Sequence, residues 1–198
     1  MKLTPLPANS DTPVTARLSQ WISSLKRSDI PGPAWAHAKL CLLDGLGCAL
    51  FGSQQPWGRI AAETAMDLAP NGRASLLGHG VRCGVDAAAM ANGTATHGFE
   101  LDDLHLRATI HPGAVTIPAA LALAEAFNKT PSAFLTAVVA GYEVGLRIGM
   151  AVGLGHGLRG HHGTGTIGTL AAAAAGANLL GLTAEKTSDA LGIAATQA

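Results

Sequence analysis

Apolar side chains recur along this chain at intervals of three and four residues and almost nowhere at intervals of two, which predicts helices. Thr12 and Pro13 open the first, with Thr as N-cap and Pro at the first helical position. Val14, Leu18, Trp21, Ile22 and Leu25 then share one face. A Pro/Gly break over 29–33 precedes a second helix, from about Ala34 to Phe51. Its Leu40, Leu43, Leu46 and Leu50 are expected inside, and Gly45, Gly47 and Gly52 imply close contact with a neighbour. A third helix begins at Pro56 and ends near Leu68, before the turn Pro70-Asn71-Gly72. Residues 74–81 form the one stretch that reads as extended. Helix resumes over 84–97, an irregular run covers 98–112, and an apolar helix spans 114–127. Thr130 and Pro131 cap a long helix to about Val152. A loop rich in Gly and His (153–163) leads into an Ala-rich helix, and Thr183 caps a last helix that is still apolar at Ala198.

The expected architecture is all-α: a helical bundle, one helical domain over 1–198, whose continuation past Ala198 is expected to be missing because no stop signal closes the last helix. Composition supports burial, since 48% of residues are hydrophobic and only 13% charged. With 4% aromatics and 25 Gly, the core must come from small side chains and close helix approach. The formal net charge is zero, so no basic stripe invites nucleic acid. Met1–Asp11 lacks the apolar run of a signal peptide, and the uncharged stretch 164–182 reads as a helix enclosed by others, not a membrane span. Three cysteines, Cys41, Cys48 and Cys83, without paired spacing, argue against a disulfide framework or zinc knuckle. A cytoplasmic location is expected.

Titratable residues concentrate in two loops with apolar flanks. The first holds Glu100, Asp102, Asp103, His105, Arg107 and His111 within a dozen positions; the second runs from His156 through Arg159, His161 and His162 to Thr164. Carboxylates beside imidazoles suit acid–base work, each moving the other's pKa towards the working pH. The free amides and dipole at the start of the Ala-rich helix favour a bound carboxylate, and Arg159 offers a second hold. Asp102 and Asp103 are equally suited to capping or solvent. His37, His79 and His97 read as structural, Asp44 as a buried, paired group among leucines, and at most one of His161 and His162 is expected inside a pocket. A metal site is a rival reading, but no H-E-x-x-H or Cys/His knuckle supports it.

Six segments carry a resemblance. Asn92-Gly-Thr-Ala-Thr-His97 and the acidic element Glu100-Leu-Asp-Asp-Leu104 precede His111-Pro-Gly113. Arg159-Gly-His-His-Gly-Thr164 follows, then Leu191-Gly-Ile-Ala-Ala-Thr-Gln-Ala198, with Asp44-Gly-Leu-Gly-Cys-Ala-Leu-Phe-Gly52 near the start. In this order they resemble the MmgE/PrpD family, over nearly the whole chain. The resemblance implies a large all-helical domain followed by a smaller α+β domain that this chain lacks, in a homodimer working without metal or other cofactor. It implies dehydration, decarboxylation or epimerisation of a small di- or tricarboxylate, as in 2-methylcitrate dehydratases, cis-aconitate decarboxylases and iminodisuccinate epimerases. Carried over by position, His111, His162 and Glu100 become catalytic candidates, and Asp102, Asp103, Arg159 and Thr164 substrate-binding ones. The chain departs from the family pattern at Glu100, where Asp is usual, at Leu104, where Thr is usual, and at Gly113, where Ser is usual. The alternative is a non-catalytic helical remnant that dimerises or binds a ligand.

Overall fold

The computed structural model describes residues 13–198; Thr12, the expected first cap, and Met1–Asp11 lie outside the described residues. Nine α-helices and one small hairpin make up the described fold. They are α1 (Val14–Ser24), α2 (Gly32–Ser53), α3 (Pro56–Leu68), β1 (Ala74–Leu76), β2 (Val81–Cys83), α4 (Val85–His97), α5 (Pro112–Ala126), α6 (Pro131–Val152), α7 (Leu154–Leu158), α8 (Gly163–Leu180) and α9 (Ala184–Ala195). The all-α expectation holds. The extended stretch proves to be an antiparallel pair reaching Cys83, and the second loop contains the short α7.

Local signals act where the chain places them. Thr130 and Thr183 each accept a hydrogen bond from the amide three residues on, of Ala133 (3.1 Å) and Lys186 (3.3 Å), and so start α6 and α9. Pro56, Pro112 and Pro131 sit in first turns, where a missing N–H costs nothing.

The centre is α5, α6 and α8, joined by Ile117, Ala120, Ala137, Val138, Ala175 and Leu179. Side chains this small let backbones approach. On α6, Gly141, Gly145 and Gly149 recur every fourth residue and so form one stripe. A Cβ at Gly141 would lie 2.8 Å from the Ala171 carbonyl oxygen, one at Gly145 2.9 Å from the Ala171 Cβ, and one at Gly149 2.8 Å from Ala108. The stripe therefore seats α8 and also presses the 98–111 segment onto the core. A second cluster joins α3, the hairpin and α4 through Ala65, Leu76, Cys83 and Ala88. Outside α8, α1 and α9 pack through Ile22 and Leu191, and Asn178 donates to the Ile22 and Leu25 carbonyls at 2.8 and 3.1 Å.

One expectation is overturned. Leu40, Leu43 and Leu50 are 62%, 69% and 52% exposed, because α2 packs through Ala38, Gly45, Cys48, Ala49 and Gly52 on its other side. Gly47 has open space around it and Asp44 is exposed, so neither has the buried setting predicted. Among the described residues two helices, α2 and α6, are long and apolar enough to cross a membrane; 56% of the most apolar window of α6 is buried in the bundle, against 22% for α2.

Candidate active site

The segment between α4 and α5 turns back on itself at an isolated antiparallel bridge, His105 to Ile110, and the His105 ring accepts the Ala108 amide at 3.1 Å. Glu100 and Thr109 take left-handed backbone angles, φ 53° and 54°, at a cost of about 1–3 kcal/mol each. Such strain persists only where the surroundings hold the chain down, and three ties do so. The Asp103 amide donates to the Asp44 carboxylate at 3.1 Å, Asp103 Oδ1 accepts from the Gly113 amide at 3.0 Å, and the His111 amide donates to the Thr164 hydroxyl at 3.1 Å. Thr164, buried in the first turn of α8, thus fixes the backbone of His111. A Cβ at Gly113 would meet Asp103 Oδ1 and lie 2.7 Å from the Tyr142 hydroxyl, so the glycine that replaces serine here is what lets Asp103 reach the end of α5.

Asp102 is the hub. Its side chain is fully buried, with Oδ1 3.1 Å from His97 Nδ1 and 3.3 Å from His111 Nδ1. His111 Nδ1 also lies 3.1 Å from the Asp102 carbonyl oxygen. Both neighbours are acceptors, so Nδ1 of His111 carries the proton and Nε2 of the neutral ring holds a free lone pair. His162 is the reverse. As N-cap of α8 its Nδ1 accepts from the Gly165 amide at 3.2 Å, so its proton sits on Nε2. The His97 ring lies between them, with centroids 4.7 Å from His111 and 5.6 Å from His162.

Electrostatics follow the same geometry. The hydrogen bond to Asp102 raises the His97 pKa, against the opposing effect of burial. Burial raises the Asp103 carboxyl above its ordinary range, the nearby Tyr142 hydroxyl and the Gly113 amide pull it down, and the like charges of Asp102 and Asp44 add to the rise. Burial, with Asp103 alongside, pushes the Tyr142 phenol far up, so it stays a neutral donor.

A cavity of about 510 Å³ opens against these groups, lined by Glu100, His111, His162 and Thr164 with Leu104 and Ile167. Asp102 lies behind it, and Asp103 faces a separate cavity of about 610 Å³ beside Tyr142 and Asp44; Leu104 walls both. Arg159 is exposed and outside the lining, so among the described residues imidazoles are the only cationic side chains that line this space. Both His161 and His162 line it, where one was expected: His161 reaches it by stacking on His156, with centroids 4.6 Å apart and planes 14° from parallel. His156 in turn lies 2.6 Å from the Thr166 hydroxyl. His97, read from sequence as structural, is the member sequence reasoning missed. The available signal was its place as the last residue of a helix, just ahead of a run of carboxylates.

Two trios bring ligating atoms within 4.8 Å of one another: His97, Glu100 and His162; and His97, Asp102 and His111. His97 belongs to both with one nitrogen already bonded to Asp102, and His162 carries its proton where a metal would need a lone pair. The bonds in place suit proton transfer better than coordination.

Fold and site together define a class: an all-α scaffold carrying a buried carboxylate, flanking imidazoles of fixed tautomer and a cavity sized for a small anion. The MmgE/PrpD N-terminal domain model matches residues 16–198, and the chain belongs to that family. It is 43% identical to the cis-aconitate decarboxylase-like protein oryM of Aspergillus oryzae, over 93% of this chain and 40% of that protein. It is 38% identical to the cis-aconitate decarboxylase of Aspergillus terreus, over 96% of this chain and 40% of the relative. The human cis-aconitate decarboxylase is 28% identical over 93% of this chain and 40% of its own length. The chain thus spans about 40% of the length of the curated relatives it matches.

Proposed function

We propose that this chain carries the acid–base half of a lyase acting on a small di- or tricarboxylic acid, with decarboxylation the favoured reaction. The observation that carries the reading is the pair of opposite tautomers at one cavity, a lone pair on His111 Nε2 and a proton on His162 Nε2. When a carboxylate leaves as CO2, the electron pair of the broken C–C bond passes into the remaining carbon skeleton, and a donor must protonate the carbon where it settles. His162 would give that proton from Nε2 as an imidazolium, its Nδ1 first taking a proton in place of the Gly165 bond, and His111 would take one in any step that first removes an α-proton. Substrate carboxylates are held by the Gly163 and Thr164 amides that open α8, the Gly165 amide being taken by His162, and by the surrounding imidazoles. The names of the relatives support decarboxylation over dehydration or epimerisation. Leu104 and Ile167 give the cavity one apolar wall, which suits the hydrocarbon side of such an acid.

The test supplies the intact protein with a panel of di- and tricarboxylic acids in D2O and follows CO2 release and deuterium incorporation by NMR. Turnover of at least one acid is expected, with kcat/KM lowered about 10²–10⁴-fold in His111→Gln and His162→Gln. Neither turnover nor exchange with any acid would overturn the proposal.

A further inference from the structure

We propose that His97 is a positioning residue, the counter-ion of buried Asp102, and that by taking this role it keeps His111 neutral and free to act as a base. The inference rests on the acid–base reading above and extends it to a residue outside the cavity lining.

Two imidazoles share one fully buried carboxylate, and a buried charge needs a partner. Which ring supplies the positive charge decides whether His111 enters the reaction as a base or as a spent acid. Geometry favours His97 on three counts. Its Nδ1 reaches both Asp102 oxygens, at 3.1 and 3.3 Å, whereas His111 divides its Nδ1 between the Asp102 carbonyl and one oxygen. His97 ends α4, where the helix dipole favours a cation, whereas His111 is the N-cap of α5, where the dipole disfavours one. With the ring centroids 4.7 Å apart, a charge on His97 also opposes a second charge on His111. The other groups facing the pair do not reverse this. Glu100 and Asp102 on the loop both favour a charged His97, and Asp103 turns its carboxylate to the α5 amide. His162 on α8 turns its Nδ1 to the Gly165 amide, and Cys48 on α2 is an un-ionised thiol near Asp102. His97 Nε2 is buried without a hydrogen-bond partner, a cost to the charged ring that the two contacts of Nδ1 with Asp102 must outweigh.

Removing His97 leaves His111 as the only imidazole that can neutralise Asp102, so His111 takes the proton and its pKa rises. The variants are His97→Phe, which keeps a ring without charge or donor, and His97→Asn, which restores an N–H to Asp102 without charge. In the intact protein, imidazole Cε1 NMR titration reads each ring's charge independently of turnover. At pH 7 the wild type should show His97 protonated and His111 neutral. In His97→Phe the His111 midpoint should rise by about one unit, with a smaller rise in His97→Asn. The acid limb of the pH–rate profile should move with it, so that activity falls about two- to threefold at pH 7 and about tenfold well down the acid limb, and recovers at higher pH. A ring that served packing alone would lower activity equally at every pH, and that result overturns the proposal. A wild-type titration with the proton on His111 overturns it even if neither variant folds. If the NMR midpoints move as stated but His111→Gln leaves turnover unchanged, the ion pair stands and the acid–base reading falls.

Discussion

At Asp103 a single side chain carries two opposed demands. It must reach the Gly113 amide at the head of α5, which draws it into the interior, and burial there penalises its charge more than the Gly113 bond and the nearby Tyr142 hydroxyl repay. Its carboxyl pKa is raised, so the native state holds that proton more tightly than the unfolded chain does. The favourable contribution is therefore present below the ordinary carboxyl value and is lost as pH rises through the native one. Asp103→Asn keeps an acceptor for Gly113 and removes the charge. The expected outcome is a Tm higher by about 2–4 °C at pH 7, with the difference vanishing in acid, measured by calorimetry across the pH range. Glu100, Asp102, Asp103, His111 and His162 were legible as a concentration of titratable groups. Their division of labour was not, because it depends on which nitrogen meets which acceptor. Asp102 is buried between two rings and Glu100 is exposed on the cavity wall, although they stand two residues apart. His97 was hidden for a related reason: its partner is reached only when the chain reverses beyond the helix end. Thr164 lines the cavity, and its hydroxyl accepts the His111 amide.

At the scale of elements, the caps and prolines placed α3, α5, α6 and α9 closely, because those signals act over three or four residues. The error in α2 has another origin. Leucine spacing shows which residues share a face, but a helix whose opposite face is Ala, Gly and Cys can pack by either side. Here close backbone approach outweighed side-chain bulk. Glycines on these helices consequently differ in kind. Gly141→Ala places its Cβ 2.8 Å from the Ala171 carbonyl and should cost about 1–3 kcal/mol. Gly47→Ala meets nothing within 4 Å and should add about 0.5–1 kcal/mol through helix propensity alone. Urea denaturation of the two variants checks the contrast, and equal effects would refute the distinction.

For the molecule as a whole, the two chemistry-bearing loops are anchored unequally. In the first, Ala108 is pressed against Gly149 of the α6 stripe, and Asp44, Gly113 and Thr164 hold the rest in hydrogen bonds. In the second, Gly153, Gly155, Gly157 and Gly160 each stand in open space, and Leu154 and Leu158 of α7 are 69% and 88% exposed. Hydrogen exchange should be slow at Ala108 and fast over 154–160, and equal rates would remove the contrast. One wall of the cavity is thereby a fixed anvil and the other a door. If the proposed function holds, admission of the acid and escape of its product would fall to the glycine side, whose swing would then set the pace of the cycle while the buried carboxylate and its two rings stay fixed.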